Sequence, residues 1–285
     1  MPELERWVLH RLAELDQTVR RGVEAYDFHS LFTALYNFCA VDLSAFYFDV
    51  RKDSLYCDAP DSPRRRAVRT VMDHLFSCLS AWLAPVLCFT AEEAWLARPG
   101  AAGGDGVADS VHRRTFPEVP ASWRDDALAA RWERLREVRR VVTGALELAR
   151  ADKTLGSSLQ GAPVVHVGDE ALRAELASAA FADVAITSAI TLTAAPAPEG
   201  AFTLADVAGV ALVESAAWLR PGARTELQVA VDGGRTSVRA RLDRCYVAAL
   251  EPLRYRGVLI FDVPLNAVPQ SPGKNGVVVG VAAGR

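Results

Sequence analysis

Near the N-terminus apolar residues recur at three- and four-residue steps. Leu4, Val8, Leu12, Leu15, Val19 and Val23 share one stripe, with Arg and Glu on the other face. That spacing predicts an amphipathic helix. Asp27 stands where an N-cap would, and Leu31, Leu35 and Phe38 carry the same rhythm into a second helix. Residues 41–48 are mostly apolar and predict a buried segment, and the charged residues after them, through Asp61, predict a turn-like link. Ser62-Pro63 reads as an N-cap with proline at the first helical position. The third helix that follows has the buried stripe Val68, Val71, Met72, Leu75, Leu79, Trp82 and Leu83, and Pro85 ends or kinks it. Thr90-Ala91-Glu92-Glu93 has capping-box spacing and predicts a short helix carrying Trp95. The run from Leu83 to Trp95 reads as packing. Residues 100–106 read as a Gly-rich loop, and residues 117–120 as a second break. A last long helix, residues 125–150, places Leu128, Trp132, Leu135, Val138, Val142 and Leu146 on one face. Long amphipathic helices with short links predict an antiparallel bundle over residues 1–150.

The pattern then changes. Residues 164–167 and 186–192 predict strands with a helix over residues 170–180 between them, and residues 207–213 predict a closing strand. The expected fold class is therefore mainly α: a helical bundle, a small α+β unit over residues 151–213, and an atypical tail over residues 214–285. In that tail residues 226–231 and 258–263 have strand character. Residues 264–276 are turn-rich, and residues 276–284 lack a clear period.

The chain has 285 residues and net charge −3, which excludes a generally basic nucleic-acid binder but leaves room for a local basic patch. Residues 1–215 hold 22 Lys/Arg against 30 Asp/Glu, and residues 216–285 hold 10 against 5. The longest apolar stretches, such as residues 81–90, fall short of the roughly 18–20 residues of a membrane span, so no membrane partner is expected. The first residues lack a cationic start and an apolar run, so no signal peptide is visible and a cytoplasmic location is expected. Cys39, Cys57, Cys78, Cys88 and Cys245 are widely spaced, and no Cys-x-x-Cys exists for zinc or redox work.

The sequence assembles no active site. Gly100-Ala-Ala-Gly-Gly-Asp-Gly lacks the lysine of a phosphate-binding loop, and no Gly-x-Ser-x-Gly elbow is present. His10, His29, His74, His112 and His166 are scattered, with no His-x-x-x-His pair. Glu92 and Glu93 diverge on a helix, so capping suits them better than paired catalysis. The patches that stand out are different. Arg64, Arg65 and Arg66 occupy the first turn of the third helix, where the helix dipole disfavours cations unless an anion offsets them. An RNA phosphate backbone would supply that anion, and so would neighbouring acids such as Asp58 and Asp61. Arg51-Lys52 marks a charged corner after a buried aromatic run, and Lys153 sits in a Gly-containing joint, residues 150–159, between bundle and sheet.

Taken in order, these patches resemble one family. Tyr26-Asp27-Phe28, Asp42-Leu43-Ser44-Ala45-Phe46-Tyr47, Lys52-Asp53-Ser54-Leu55-Tyr56, residues 64–70, Ala84-Pro85 through Trp95, and Asp109-Ser110-Val111-His112 with Phe116-Pro117 look like the C-terminal part of a bacterial isoleucyl-tRNA synthetase, from its helical anticodon-binding domain onward. The joint Lys153-Thr154-Leu155-Gly156-Ser157-Ser158-Leu159 favours the isoleucyl member over its valyl, leucyl, methionyl and cysteinyl relatives. The resemblance covers residues 1 to about 213. It implies a partner, the anticodon stem of isoleucine tRNA, and a family reaction, ATP- and Mg-dependent esterification of isoleucine to that tRNA. It also names what the sequence lacks: His-x-Gly-His is absent, and methionine occurs only at positions 1 and 72, so Lys-Met-Ser-Lys-Ser is absent as well.

With those motifs and the editing domain missing, the chain alone is expected to be inactive, with no cofactor of its own. The four-cysteine zinc module of many relatives is not written in residues 214–285, whose composition is that of a frameshifted or replaced C-terminus. Arg51, Lys52, Arg64, Arg65, Arg66 and Lys153 are the expected tRNA contacts, from charge placement. Three other readings stay open: an accessory protein acting in trans on a separate catalytic subunit, a helical interaction module without RNA binding, and an incomplete gene product.

Overall fold

The computed structural model describes residues 1–99, 110–213, 224–231, 234–250 and 255–262, with backbone alone beyond Leu212. The Gly-rich loop at 100–106, the turn-rich stretch at 264–276, the end at 276–284 and the side chain of Cys245 lie outside the described residues. The chain divides into two units. Residues 1–55 and 59–130 form one, and residues 56–58 and 131–285 form the other.

In the first unit α1 (Glu3–Glu24) buries Leu4, Val8, Leu12, Leu15 and Val19, as its spacing predicts. Val23 departs from that stripe at 40% exposure, because α1 ends one residue later and the chain reverses through Tyr26 at φ 58°. Asp27 caps α2 (Phe28–Asn37), its carboxylate accepting the Ser30 N–H at 3.1 Å. Gly22 lets the two helices meet, for a Cβ there would stand 2.9 Å from Leu31 Cβ and 3.3 Å from the Asp27 carbonyl oxygen.

α2 does not stop at an apolar segment and a link. It continues as a π-helix over Phe38–Phe48 and then as α3 (Asp49–Tyr56), so residues 49–56 are helical where the charged composition predicted a turn. The wider π turns bury two adjacent pairs, Asp42-Leu43 and Phe46-Tyr47, while Val41 is 51% exposed. The helical run Phe28–Tyr56 is long enough to cross a membrane, and an 18-residue window within it is apolar enough by composition, with mean hydropathy 1.3. The sequence reading missed this by treating the run as separate pieces. The buried charges it carries fit the inner face of a bundle helix instead: Asp42 takes Arg11 of α1, and Arg51 takes Glu5 of α1.

Ser62 caps α4 (Pro63–Leu83), and Val68, Val71, Leu75 and Trp82 are buried on it; Met72, expected in the stripe, is 38% exposed at its edge. α5 (Cys88–Leu96) starts two residues before Thr90, and no capping box forms. The Glu92 carboxylate instead accepts the Val111 N–H at 2.8 Å, pinning a 3₁₀ turn at Val111–Arg113. The link before α5 is not packing throughout. The Val86 and Leu87 N–H groups both donate to the Leu83 carbonyl, and this tight reversal leaves Val86, Leu87 and Phe89 54%, 40% and 91% exposed. Burial there falls to Ala84, Ala91, Trp95 and Val111, with Phe76 stacked on Trp95 at 6.0 Å. Asp125 starts α6 (Asp126–Ala151) by accepting the Leu128 N–H at 3.0 Å, and its own N–H donates to buried His10 Nδ1 at 2.8 Å.

In the second unit arginines of α6 are committed to their own neighbours. Arg134 grips the Glu175 carboxylate at 3.1 and 2.6 Å, Arg139 donates to the Val184 carbonyl at 2.9 Å, and Arg140 pairs with Asp206. β1 (Val164–Val167) is the predicted strand, and α7 (Glu170–Ser178) the predicted helix. The strand expected over residues 186–192 is cut short. Phe181–Ala185 forms α8, and Ile186 at φ 56° turns the chain out of it, so β2 spans only Thr191–Thr193. β3 (Val210–Val213) closes the sheet. Its order is β2-β1-β3, with β1 parallel to β2 and antiparallel to β3. In the tail β4 (Arg224–Val231), β5 (Gly234–Leu250) and β6 (Tyr255–Asp262) make an antiparallel meander. β4 and β6 match the stretches with strand character, and β5 was not foreseen.

Candidate nucleic-acid interface

Arg51 and Lys52 are neighbours in α3 with different surroundings. The Arg51 side chain is 12% exposed and its guanidinium lies on both oxygens of Glu5, at 2.6 and 3.0 Å. Glu5 is fully buried, and the Tyr47 hydroxyl reaches the same carboxylate at 3.4 Å. Burial, and then the charge of Glu5, push the Tyr47 phenol well above its ordinary range. A buried carboxylate with a bidentate arginine is a structural pair, because losing either partner strands a charge in a low dielectric. Arg51 is thereby occupied in fastening α3 to α1. Lys52 is exposed.

Around the start of α4, Arg64 and Arg65 are half-buried and Arg66 is exposed, as is Arg69 one turn on. Asp58, in the link before the helix, is buried at 3% exposure. Lys153 follows α6 at φ 59°, a left-handed conformation that costs a residue other than glycine roughly 1–2 kcal/mol. Thr154 holds it there: its N–H and its hydroxyl both donate to the Ala149 carbonyl, at 2.9 and 2.7 Å. The Gln160 carboxamide folds back onto the N–H groups of Gly156 and Ser157, ordering the rest of the joint. Lys153 is exposed, beside a helix C-terminus whose dipole suits a cation. Lys153 belongs to the second unit and the other expected contacts to the first.

Sequence reasoning missed two surfaces. On α1, Glu14 accepts from Arg11, stands 3.7 Å from Arg124 and lies 3.4 Å from His10 Nε2. On α2, Phe28, Phe32 and Tyr36 are 54%, 41% and 65% exposed at four-residue steps, and aromatic faces of this kind can stack unpaired bases. The four-residue spacing was visible in the sequence. Their exposure was not, because an aromatic at that spacing also fits a core.

Against known proteins, residues 5–166 match the family described as the anticodon-binding domain of tRNA ligase. This chain belongs to that family. Its relatives include the isoleucine–tRNA ligase of Mesorhizobium japonicum, 57% identical over 213 residues that cover 75% of this chain and 21% of the relative. That of Agrobacterium fabrum is 54% identical over 218 residues, 76% of this chain and 22% of the relative. That of Ruegeria pomeroyi is 55% identical over 213 residues, 75% and 21% respectively. The chain thus spans about a fifth of the length of these relatives. The isoleucyl assignment from the joint and the bundle motifs agrees with them. The family match takes in the helical unit and runs to His166 in β1, so both the bundle and the joint after α6 lie inside it.

Proposed function

We propose that this chain is the tRNA-binding portion of an isoleucine–tRNA ligase and that it holds the anticodon stem of isoleucine tRNA. The observation that carries the reading is the family match over residues 5–166. Exposed Lys52, Arg66 and Lys153 support it, with half-buried Arg64 and Arg65 at the same helix start as Arg66. These five contact phosphates, and Arg51 contributes from behind by fixing α3. Phosphate contacts give most of the affinity and little sequence information. The 285 residues contain neither His-x-Gly-His nor Lys-Met-Ser-Lys-Ser, so by themselves they bind tRNA and do not esterify it. ATP, Mg and the esterification step belong to catalytic residues outside this stretch, and the setting is the cytoplasm, where translation enzymes act.

The test is a titration of the purified chain with isoleucine tRNA and an unrelated tRNA at two salt concentrations, beside a Lys52→Glu/Arg66→Glu variant. Binding that prefers the isoleucine tRNA and weakens with salt is expected. The variant should bind more weakly, with a salt slope shallower by about 0.7–0.9 for every phosphate no longer neutralised. A folded chain that ignores tRNA at low salt overturns the proposal.

A further inference from the structure

Between α1 and α2 lies a groove of about 400 Å³ that no expected contact residue lines. Its floor is apolar, formed by buried Leu15 and Phe38, and its walls carry Arg11, Arg21, Arg124, Gln17 and Asn37. Three guanidiniums line it against one carboxylate, Glu14, in a chain whose net charge is −3. Two of the three are fixed in advance. Arg11 lies on Asp42 at 3.2 Å through Nε and Nη2, and Arg124 lies on Asp126 at 2.8 Å. Arg21 differs: its Nε donates only to the Gln17 carbonyl of its own helix, at 3.3 Å, and among the described residues no carboxylate stands within 4 Å of it. Gln17 and Asn37 are exposed, and among the described residues their carboxamides make no hydrogen bond. The groove therefore offers an unpaired cation, two carboxamides with donors and acceptors to spare, and an apolar floor.

We propose that this groove holds one unpaired nucleotide of the bound RNA. Its phosphate lies on Arg21, its base rests over Leu15 and Phe38, and the base edge meets Gln17 and Asn37. The proposal rests on the tRNA-binding reading above and adds to it a place where sequence is read. The volume is near the lower end of small-ligand sites, enough for a nucleotide and closed to a duplex. Carboxamides are the side chains that pair with a base edge through a donor and an acceptor at once, and proteins that read RNA sequence do so on unstacked bases. The exposed aromatics of α2 do not belong to this groove. Phe28, Phe32 and Tyr36 repeat every four residues on the side of α2 away from Ala34 and Asn37, which line it.

The experiment uses the whole chain, an RNA stem–loop with the anticodon arm of isoleucine tRNA, and the paired duplex of the same stem. Arg21→Ala is expected to weaken stem–loop binding about tenfold, the scale of a charged hydrogen bond, while duplex binding stays unchanged. Gln17→Ala/Asn37→Ala is expected to alter the ranking of stem–loops that differ in one unpaired base. Ultraviolet cross-linking of the unmodified chain, mapped to the residue, should fall on the groove. If the unmodified chain binds the stem–loop but both variants bind it equally well, or if cross-links fall only on Phe28, Phe32 and Tyr36, the groove is not the site and tRNA binding stands. Absence of stem–loop and tRNA binding by the unmodified chain overturns both together.

Discussion

Replacing Arg51 separates a structural arginine from an RNA-binding one. In Arg51→Met the aliphatic length is kept and the guanidinium is lost. Glu5, fully buried, then keeps only the Tyr47 hydroxyl at 3.4 Å of the two groups that reach it. Breaking a buried pair from one side costs about 3–5 kcal/mol, because the remaining charge has neither water nor a counter-ion. Restoring balance with Glu5→Leu/Arg51→Met removes the stranded charge and should recover most of that loss, since apolar replacement of a buried pair is often neutral. Urea unfolding followed by helical circular dichroism measures both. The structural assignment also fixes the RNA result. The double variant, once folded, should bind tRNA within about twofold of the unmodified chain, because a buried guanidinium makes no phosphate contact. A single variant that loses less than about 1 kcal/mol while its tRNA affinity falls tenfold would refute the reasoning and return Arg51 to the interface.

Two further outcomes follow from the packing. Gly22→Val should cost about 1–3 kcal/mol by the same urea assay, since its Cβ meets Leu31 Cβ at 2.9 Å and the Asp27 carbonyl at 3.3 Å, and a backbone atom cannot swing aside; unchanged stability would mean α1 and α2 are not this close. Burial, and then Asp16, raise the Cys78 thiol to about 11 from an ordinary 9.0. A raised value means the folded state holds the proton longer, so this contribution to stability is intact below pH 9 and is lost as pH climbs from there toward 11. Alkylation at neutral pH, mapped by peptide mass spectrometry, should mark exposed Cys88 and leave buried Cys78 unmodified until the chain unfolds; equal labelling of the two would contradict the burial.

What the sequence could and could not reveal divides along a physical line. Caps and long stripes are local, so Asp27, Ser62, the α6 face and β1 were legible from spacing alone. Three kinds of error came from partners distant in sequence or from the path of the chain. The charged stretch 49–56 looked like a link because Arg51 reads as a surface cation, and only Glu5, 46 residues away, makes it a buried one. Glu92, in a Thr90-Ala91-Glu92-Glu93 stretch with capping-box spacing, reads as a capping carboxylate, yet the N–H it serves belongs to Val111. Ile186 looked like a strand residue by its branching, and the turn out of α8 forces it to positive φ.

The same line explains why charge along the sequence does not single out the cations left free for phosphate. Arginine outnumbers lysine 29 to 3 here, and many of those arginines have internal work. Arg134, Arg139 and Arg140 tie α6 to the α+β unit, Arg11 holds the π-helix through Asp42, and Arg114 lies 4.1 Å over the Trp95 ring. A planar, always charged group with several donors suits such contacts. A count of cations therefore overstates what remains for phosphate. Arg20-Arg21 is only a pair on the polar face of an amphipathic helix, whereas Arg64-Arg65-Arg66 stands out as a run. In the fold Arg21 is the cation lining the α1–α2 groove without a carboxylate among the described residues, and the run at α4 is partly buried. For an acidic chain proposed to meet a polyanion, the position of each uncompensated cation carries more weight than the density of arginine along the sequence.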